Sequence, residues 1–241
     1  MARSFPQDAY QRVSPDGEAD IFIINTCSVT DTADRKCRQA IRKIISKNPD
    51  AFIAVVGCYA QLSPSAVAEI EGVDLVLGNN EKFNISSYIE NIEKRKIPEV
   101  HSCENTETAG YYASWSANDR TRSFLKVQDG CDYHCSYCTI PLARGASRNQ
   151  PVKEIVEEAG AIVKSGVKEI VLTGVNVGDF GKTTGETLEE LLLSLCRIPG
   201  LERLRLSSIE PNLLTNNIIH LIASEPVLMP HIHMPLQSGN D

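Results

Sequence analysis

Three cysteines fall within eight residues, as Cys131-x3-Cys135-x2-Cys138, in the stretch Asp129-Gly-Cys-Asp-Tyr-His-Cys-Ser-Tyr-Cys-Thr-Ile-Pro141. No other feature narrows the fold and chemistry as far. A strand-like run, Ser123–Gln128, leads into the loop, and Gly130 marks the turn. Thiolates are soft ligands that suit iron–sulfur clusters or zinc. Three of them on one short loop can hold three irons of a [4Fe-4S] cubane and leave the fourth iron open. An open coordination position is what separates a working metal centre from a structural one. The competing reading is a zinc knuckle closed by His134, His101 or Cys103. Zinc loops favour paired Cys-x2-Cys motifs, and this sequence has no second pair. His134 also sits directly before the ligand Cys135, an awkward place from which to complete a tetrahedron. Three unrelated core thiols are the remaining alternative, since cysteine is often buried; the spacing favours the cluster.

Compartment decides how the other five cysteines are read. The N-terminus, Met-Ala-Arg-Ser-Phe-Pro-Gln-Asp, has no apolar core for a signal peptide. No run approaches the ~18 apolar residues of a membrane span. Eight cysteines without a secretory signal then read as metal ligands and core thiols in a reducing compartment, so a cytoplasmic location and no membrane partner are expected. At 241 residues, 42% hydrophobic and 23% charged, the chain suits one large or two ordinary soluble domains. A net charge of −7 excludes a chain-wide nucleic-acid footprint. Cations do gather locally, at Arg35, Lys36, Arg38, Arg42, Lys43 and Lys47, mostly on one side of a predicted helix. They are expected to form a solvated face rather than an RNA contact.

Taken in order, Asp20–Asn25 is a short apolar run, the pattern of a strand buried on both faces. A helix is predicted from Thr32 to Lys47, with Ala33, Cys37, Ala40, Ile41, Ile44 and Ile45 on one apolar face. Cys37 is therefore expected to be core packing. Phe52–Val56 is a second buried strand, Ser63-Pro64 starts a helix, Asp74–Leu77 is a third strand and Lys82–Lys94 a third helix. This alternation specifies a doubly wound parallel sheet over residues 1–98. Ligands sit beyond the carboxyl ends of such strands. Cys27 and Cys58, each directly after a strand, are either half of a metal site or two small residues buried at strand ends. Residues 99–122 read as a linker, with Tyr111, Tyr112 and Trp115 docking it and with His101 and Cys103 on its surface.

Residues 123–241 follow a second strand–helix rhythm. After the cysteine loop come a helix at Val152–Lys164, a strand at Lys168–Leu172 and a helix at Glu186–Cys196, on which Cys196 reads as core. A strand at Glu202–Leu206, a helix at Leu213–Ala223 and a fourth strand starting at His231–Met234 complete the pattern. Polar segments, Thr173–Asn176 and Ser207–Pro211, recur just past strand ends, where barrel enzymes place their active sites. A complete barrel of eight units takes about 250 residues, so this half is expected to be an incomplete (β/α) barrel and the chain a fragment.

Ile24-Asn-Thr-Cys-Ser-Val-Thr30, Val56-Gly-Cys-Tyr-Ala-Gln61, the cysteine loop and His233-Met-Pro-Leu-Gln-Ser-Gly239 together resemble the methylthiotransferases, radical S-adenosylmethionine (SAM) enzymes with two iron–sulfur clusters. Lys126–Asp132 and Ile140–Gly145 look most like the tRNA branch that acts on N6-threonylcarbamoyladenosine at position 37. Related branches act on isopentenyladenosine in tRNA or on a ribosomal protein. The rival from another class is a non-catalytic iron–sulfur or zinc module.

The resemblance implies that Cys131, Cys135 and Cys138 hold the SAM cluster and that Tyr137 lies near the adenine. It places Thr173, Gly174, Val175 and Asn176 at the methionine moiety, Ser208 and Glu210 at the ribose or amino group, and Gln237 on the far side of the cofactor. It also implies a second, auxiliary cluster that uses Cys27 and Cys58, with its third ligand in an opening unit not found before residue 20. One SAM would methylate sulfur on that cluster, and a second would give the 5′-deoxyadenosyl radical. Implied partners are tRNA, bound weakly by this chain alone, and a reductant such as flavodoxin or ferredoxin.

Overall fold

The computed structural model describes residues 1, 4–14, 17–28, 30–89, 92–103, 110–116 and 121–239. They divide into two compact units, Met1–Gly110 with His134–Gly145, and Tyr111–Tyr133 with Ala146–Asp241. The division runs through the cysteine loop, leaving Cys131 with the second unit and Cys135 and Cys138 with the first.

In the first unit, β1 (Ile21–Thr26), β2 (Phe52–Gly57), β3 (Leu75–Leu77) and β4 (Glu99–His101) form a parallel sheet in the order β1-β2-β3-β4. The helices are α1 (Asp31–Lys47), α2 (Cys58–Leu62), α3 (Pro64–Ala68) and α4 (Ile85–Tyr88). Strand β2 shows why the sheet is covered on both sides. Phe52, Ala54 and Val56 pack into one core with Leu75, Leu77, Ile85 and Ile89, while Ile53 and Val55 pack into another with Ile41 of α1. That alternation is the period of two of an extended chain. Helix α1 starts where the Thr30 side chain accepts the Ala33 amide proton, an N-cap. Its apolar stripe, Cys37 included, lies against the β2 core.

Three expectations change in this unit. Strand β1 is half-buried rather than sealed, because among the described residues it pairs on one side only, with β2. The helix expected over 82–94 is a 3-10 turn at Glu81–Asn84 followed by α4, ending at Tyr88; residues 90 and 91 lie outside the described residues. The chain at Lys94–Arg95 is instead drawn to Asp74. The expected linker supplies β4 at its start, and Trp115 further on bridges Leu125 in the second unit. Residues 104–109 and 117–120 of that stretch lie outside the described residues.

In the second unit, β5 (Ser123–Lys126), β6 (Glu169–Thr173) and β7 (Arg203–Leu206) form a parallel sheet in that order. Helices α6 (Val152–Lys164), α7 (Leu188–Cys196) and α8 (Asn216–Ser224) follow successive strands, α5 (Ile140–Arg144) belonging to the first unit. The core gathers Leu125, Ile170, Leu172, Leu204 and Leu206 from the strands with Ile155, Ala159, Ile162, Leu191, Leu192 and Leu195 from the helices. Thr187 and Glu190 form a capping box that starts α7, two orphan amides satisfied reciprocally. The fourth strand expected at His231–Met234 is reduced to one parallel bridge, Ser208 to His233. Pro230 and Pro235 bracket it, and proline supplies no amide to extend a ladder. Glu169 joins β6 to β7. Burial pushes its carboxyl pKa up, but hydrogen bonds from Arg203 Nε and Arg205 Nε, both 2.8 Å, outweigh that and hold it below the usual range.

Asp74 is fully buried before β3. It accepts from the Ile53 amide, the Arg95 amide and Lys94 Nζ, each at 2.8 Å. Replacing Asp74 by Ala would strip two backbone amides of their acceptor and Lys94 of its counter-charge, leaving the lysine the carbonyls of Ala51 and Gly72. Unfolding by urea should show a loss of about 3 kcal/mol. A loss under about 1 kcal/mol would show that solvent replaces the carboxylate.

Candidate cofactor site

Parallel strands bring their carboxyl ends to one edge, and in the second unit that edge is polar. Gln128, two residues past β5, is fully buried. Its Oε1 accepts the amides of Val175 at 2.9 Å and Asn176 at 3.0 Å, just past β6. Its Nε2 faces the carbonyls of Gly130 at 2.7 Å and Asp129 at 3.2 Å, and Ser147 Oγ at 2.9 Å. Gly174 makes room for this side chain, since a Cβ there would stand 2.8 Å from Gln128 Oε1. Asn176 Oδ1 meets the Glu210 amide at 3.4 Å, while the buried Asn176 Nδ2 makes no hydrogen bond among the described residues. Past β7, Ser208 Oγ pairs with His233 Nδ1 at 2.9 Å, and Gln237 Nε2 donates to Glu210 Oε1 at 3.2 Å. Gln237 is the one non-glycine with positive φ among the described residues, at 65°. The structure thus gathers Gly174, Val175, Asn176, Ser208, Glu210 and Gln237 on one edge, with Thr173 ending β6.

The cysteine loop leaves from that edge. An antiparallel bridge between Asp129 and Arg148 closes its base. Asp132 accepts the Ser147 amide at 2.9 Å and lies 3.6 Å from Lys182 Nζ. Lys182 also sits 5.1 Å from the Tyr133 ring centroid and 2.8 Å from the buried carboxylate of Asp179, whose hydrogen bond raises the lysine pKa.

The loop's other half is anchored within the first unit. Thr139 Oγ1 donates to the Ser28 carbonyl at 2.8 Å, next to Cys27. The Cys138 amide donates to the Cys135 carbonyl at 3.0 Å. Asn79, just past β3, reaches the Ala143 carbonyl of α5 at 2.5 Å and Cys58 Sγ at 3.7 Å through one Nδ2. Cys27 and Cys58 follow β1 and β2 directly, as expected. Cys27 is exposed and Cys58 5% exposed. Gly57 sets the turn before Cys58; its φ is 101°, and a Cβ would lie 2.6 Å from Asn25 Oδ1 and the Thr26 carbonyl. Cys37 Sγ donates to the Cys27 carbonyl at 3.4 Å, so this core-packed thiol also steadies the strand-end loop. Cys103, expected at the surface, is half-buried; its sulfur accepts from Asn80 Nδ2 at 3.0 Å and its carbonyl from Gln61 Nε2 at 2.8 Å.

Cys135 is exposed, Cys131 and Cys138 are partly exposed, and all are thiols rather than disulfides. Tyr137 stands 65% exposed between them. Among the described residues no three metal-ligating side chains crowd around one point as a single ion requires. A cubane takes its thiolates at separate corners, and three accessible soft donors on one loop fit that demand in kind and number. Sequence reasoning missed Gln128 and Asn79. Their signals were a polar residue closing an apolar run, and an Asn-Asn pair at the strand-end position that Cys27 and Cys58 occupy on their own strands.

A parallel α/β sheet whose strand ends launch a three-cysteine loop is the build of radical SAM proteins, and residues 125–241 match the radical SAM superfamily. Residues 1–78 match a family described as uncharacterized protein family UPF0004. The chain is thus similar to the radical SAM methylthiotransferases, and its match to the radical SAM superfamily supports a [4Fe-4S] cluster and SAM as cofactors. It is 38% identical over 242 residues to the threonylcarbamoyladenosine tRNA methylthiotransferase MtaB of Bacillus subtilis, covering 98% of this chain and 53% of that protein. It is 41% identical to the MtaB of Thermotoga maritima, covering 100% and 55%. The chain therefore spans about half the length of the curated relatives it matches. The radical SAM methyltransferase TsrM of Kitasatospora setae, solved with cobalamin and a [4Fe-4S] cluster, shares the fold at a TM-score of 0.56 and 16% identity. That match covers 92% of this chain and 50% of that one.

Thiol labelling tests the cysteine classes without any activity. Burial pushes the Cys196 thiol up to about 11. At pH 8, iodoacetamide should label Cys27 and Cys135 in the metal-free chain at least about tenfold faster than Cys196, because the thiolate is the nucleophile. Uptake of iron and sulfide should then protect Cys131, Cys135 and Cys138 in peptide mass spectra. Unchanged labelling of those three after iron uptake would place the iron elsewhere.

Proposed function

We propose that this chain serves a cytoplasmic tRNA methylthiotransferase that adds a methylthio group to C2 of N6-threonylcarbamoyladenosine at position 37. The observation that carries this reading is the three-thiol loop rising from a strand edge lined by Gln128, Asn176, Ser208 and Glu210. Both relatives named above support the substrate. An aromatic C–H is too weak an acid for side-chain bases to open. A reduced cluster on Cys131, Cys135 and Cys138, with SAM bound, would supply the radical chemistry that this bond requires.

The chain's own residues supply binding and orientation. Asn176 Nδ2, a buried donor, is poised for the methionine carboxylate of SAM. Glu210 offers a carboxylate and Ser208 a hydroxyl to the amino group or ribose, Gln237 stands on the far side of the cofactor, and Tyr137 offers a ring to the adenine. Cys27 and Cys58 would hold the auxiliary cluster. A flavodoxin or ferredoxin would be the electron source. Placing the reacting carbon and excluding water are the protein's share of the rate, and errors of about 1 Å are costly.

The proposed substrate reassigns helix α1, expected from sequence to be a solvated face, as a surface for the tRNA backbone. From Arg35 to Lys47 it has six cations and no carboxylate, in a chain of net charge −7. Arg35, Lys36, Arg42, Lys43 and Lys47 are exposed, and Arg38 is turned to the Tyr59 hydroxyl at 2.8 Å. Changing Arg42, Lys43 and Lys47 together to Gln should weaken tRNA binding. It should also flatten the log affinity–log salt slope by about 0.7–0.9 for each phosphate no longer neutralised. An unchanged slope would leave α1 a solvated face.

Two measurements test the function. After iron and sulfide reconstitution, SAM should alter the EPR signal of the reduced cluster, and Cys135→Ala should abolish 5′-deoxyadenosine formation. Zinc uptake without iron would support a binding module instead. Nucleoside mass spectrometry of tRNA from cells lacking this protein should show loss of 2-methylthio-N6-threonylcarbamoyladenosine alone. Loss of the methylthio isopentenyladenosine derivative would assign the other tRNA branch.

A further inference from the structure

We infer that Gln128 is a positioning residue that fixes the spacing between the cysteine loop and the strand-end segment Gly174–Asn176, and thereby sets the affinity for SAM. This deepens the function proposed above and rests on it. Gln128 touches neither cluster nor cofactor in that reading. It acts through what it holds.

The side chain is fully buried, and every polar atom on it is committed. Its acceptor end takes two consecutive amides, Val175 and Asn176, at 2.9 and 3.0 Å. No strand partner takes those amides, because β6 has already ended at Thr173. Its donor end shares two protons among the carbonyls of Asp129 and Gly130 and Ser147 Oγ. Gly130 precedes Cys131, and Ser147 lies beside Arg148, which closes the loop base. One amide group therefore ties the start of the loop, its return and the β6 end together.

Two further facts show that the fit is specific. A Cβ on Gly174 would come within 2.8 Å of Gln128 Oε1 and 3.1 Å of its Cβ, so glycine is what lets the side chain lie across the strand end. The strand ladder extends one residue beyond β5, with the Val127 amide donating to the Thr173 carbonyl at 2.9 Å. Beyond that point main-chain pairing stops and Gln128 replaces it. Burying such a group is favourable only while its partners stay in place, so its bonds resist any shift of the loop against β6.

The test uses Gln128→Met, which keeps length and removes every hydrogen bond, and Gln128→Glu, which keeps an acceptor and loses both donor protons. In the metal-free chain, hydrogen exchange should find the Val175 and Asn176 amides slow in the wild type and in the Glu variant but at least about tenfold faster in the Met variant. Fast exchange in the wild type would overturn the hydrogen-bonding basis. After reconstitution, the Met variant should need about 10–100-fold more SAM to produce the EPR change, the range for groups that orient ligand-bearing segments. Its near-wild-type circular dichroism would separate positioning from unfolding. Wild-type SAM affinity in a folded Met variant would overturn the inference.

Should the Met variant not fold, Gly174→Ala takes its place, since it displaces Gln128 while leaving it present. It should raise the SAM requirement in the same way, and unchanged affinity there would also overturn the inference. A wild-type chain whose amides are slow but whose cluster ignores SAM would instead sink the proposed function, which keeps the two failures apart.

Discussion

Because every strand pair in both sheets is parallel, each strand hands its last residue to the same edge, and polar chemistry collects there rather than on the sheet faces. The faces are taken by helices and closed by apolar side chains. What remains at the edges is a set of unpaired backbone ends that side chains must satisfy. In the second unit Gln128 and Asn176 do this; in the first, Thr26 Oγ1 donates to the Val56 carbonyl at 2.7 Å and Gln61 takes the Asn79 amide at 2.8 Å. The groups that satisfy the edge are therefore next to the groups proposed to hold cofactors, and structural and chemical roles share residues.

Much of this was legible in the sequence. The cysteine spacing announces itself because ligands on one loop need no tertiary information. Buried strands such as β2 and β6 are equally plain, since a parallel sheet covered on both faces makes a continuous apolar run. Amphipathic helices α1, α6 and α7 repeat on a period that propensity and burial both support. Cys27 and Cys58 could be placed at strand ends because strand and helix alternate so regularly around them.

What escaped the sequence depends on partners far along the chain. Gln128 becomes informative only when Lys126 pairs with Thr173, a register between segments more than forty residues apart. The helix expected over 82–94 yields because Asp74 takes the Arg95 amide and Lys94, a tertiary claim on backbone that local propensity cannot anticipate. The run His231–Met234 has strand composition, but prolines on both sides leave it only the pairing around Ser208. Strand β4 is the reverse case. It is three residues of mixed polarity, exposed on two of them, and forms because β3 offers an open edge.

The two overlooked amides, Gln128 and Asn79, solve different problems. Gln128 makes only hydrogen bonds to oxygen acceptors and backbone amides, so its influence is geometric. Asn79 Nδ2 stands 3.7 Å from Cys58 Sγ and also reaches the Ala143 carbonyl, while Lys82 Nζ holds its Oδ1 at 2.6 Å. A cation on the oxygen end of an amide draws electron density from its nitrogen and makes the N–H a stronger donor. A donor directed at a ligating sulfur lowers the charge that sulfur gives to iron and shifts a cluster's potential. Were Cys58 a ligand, Asn79 would therefore tune electron affinity as well as position, whereas Gln128 could only place its neighbours. The distinction follows from what each amide touches: sulfur, a carbonyl and a lysine in one case, main-chain amides, carbonyls and a serine hydroxyl in the other.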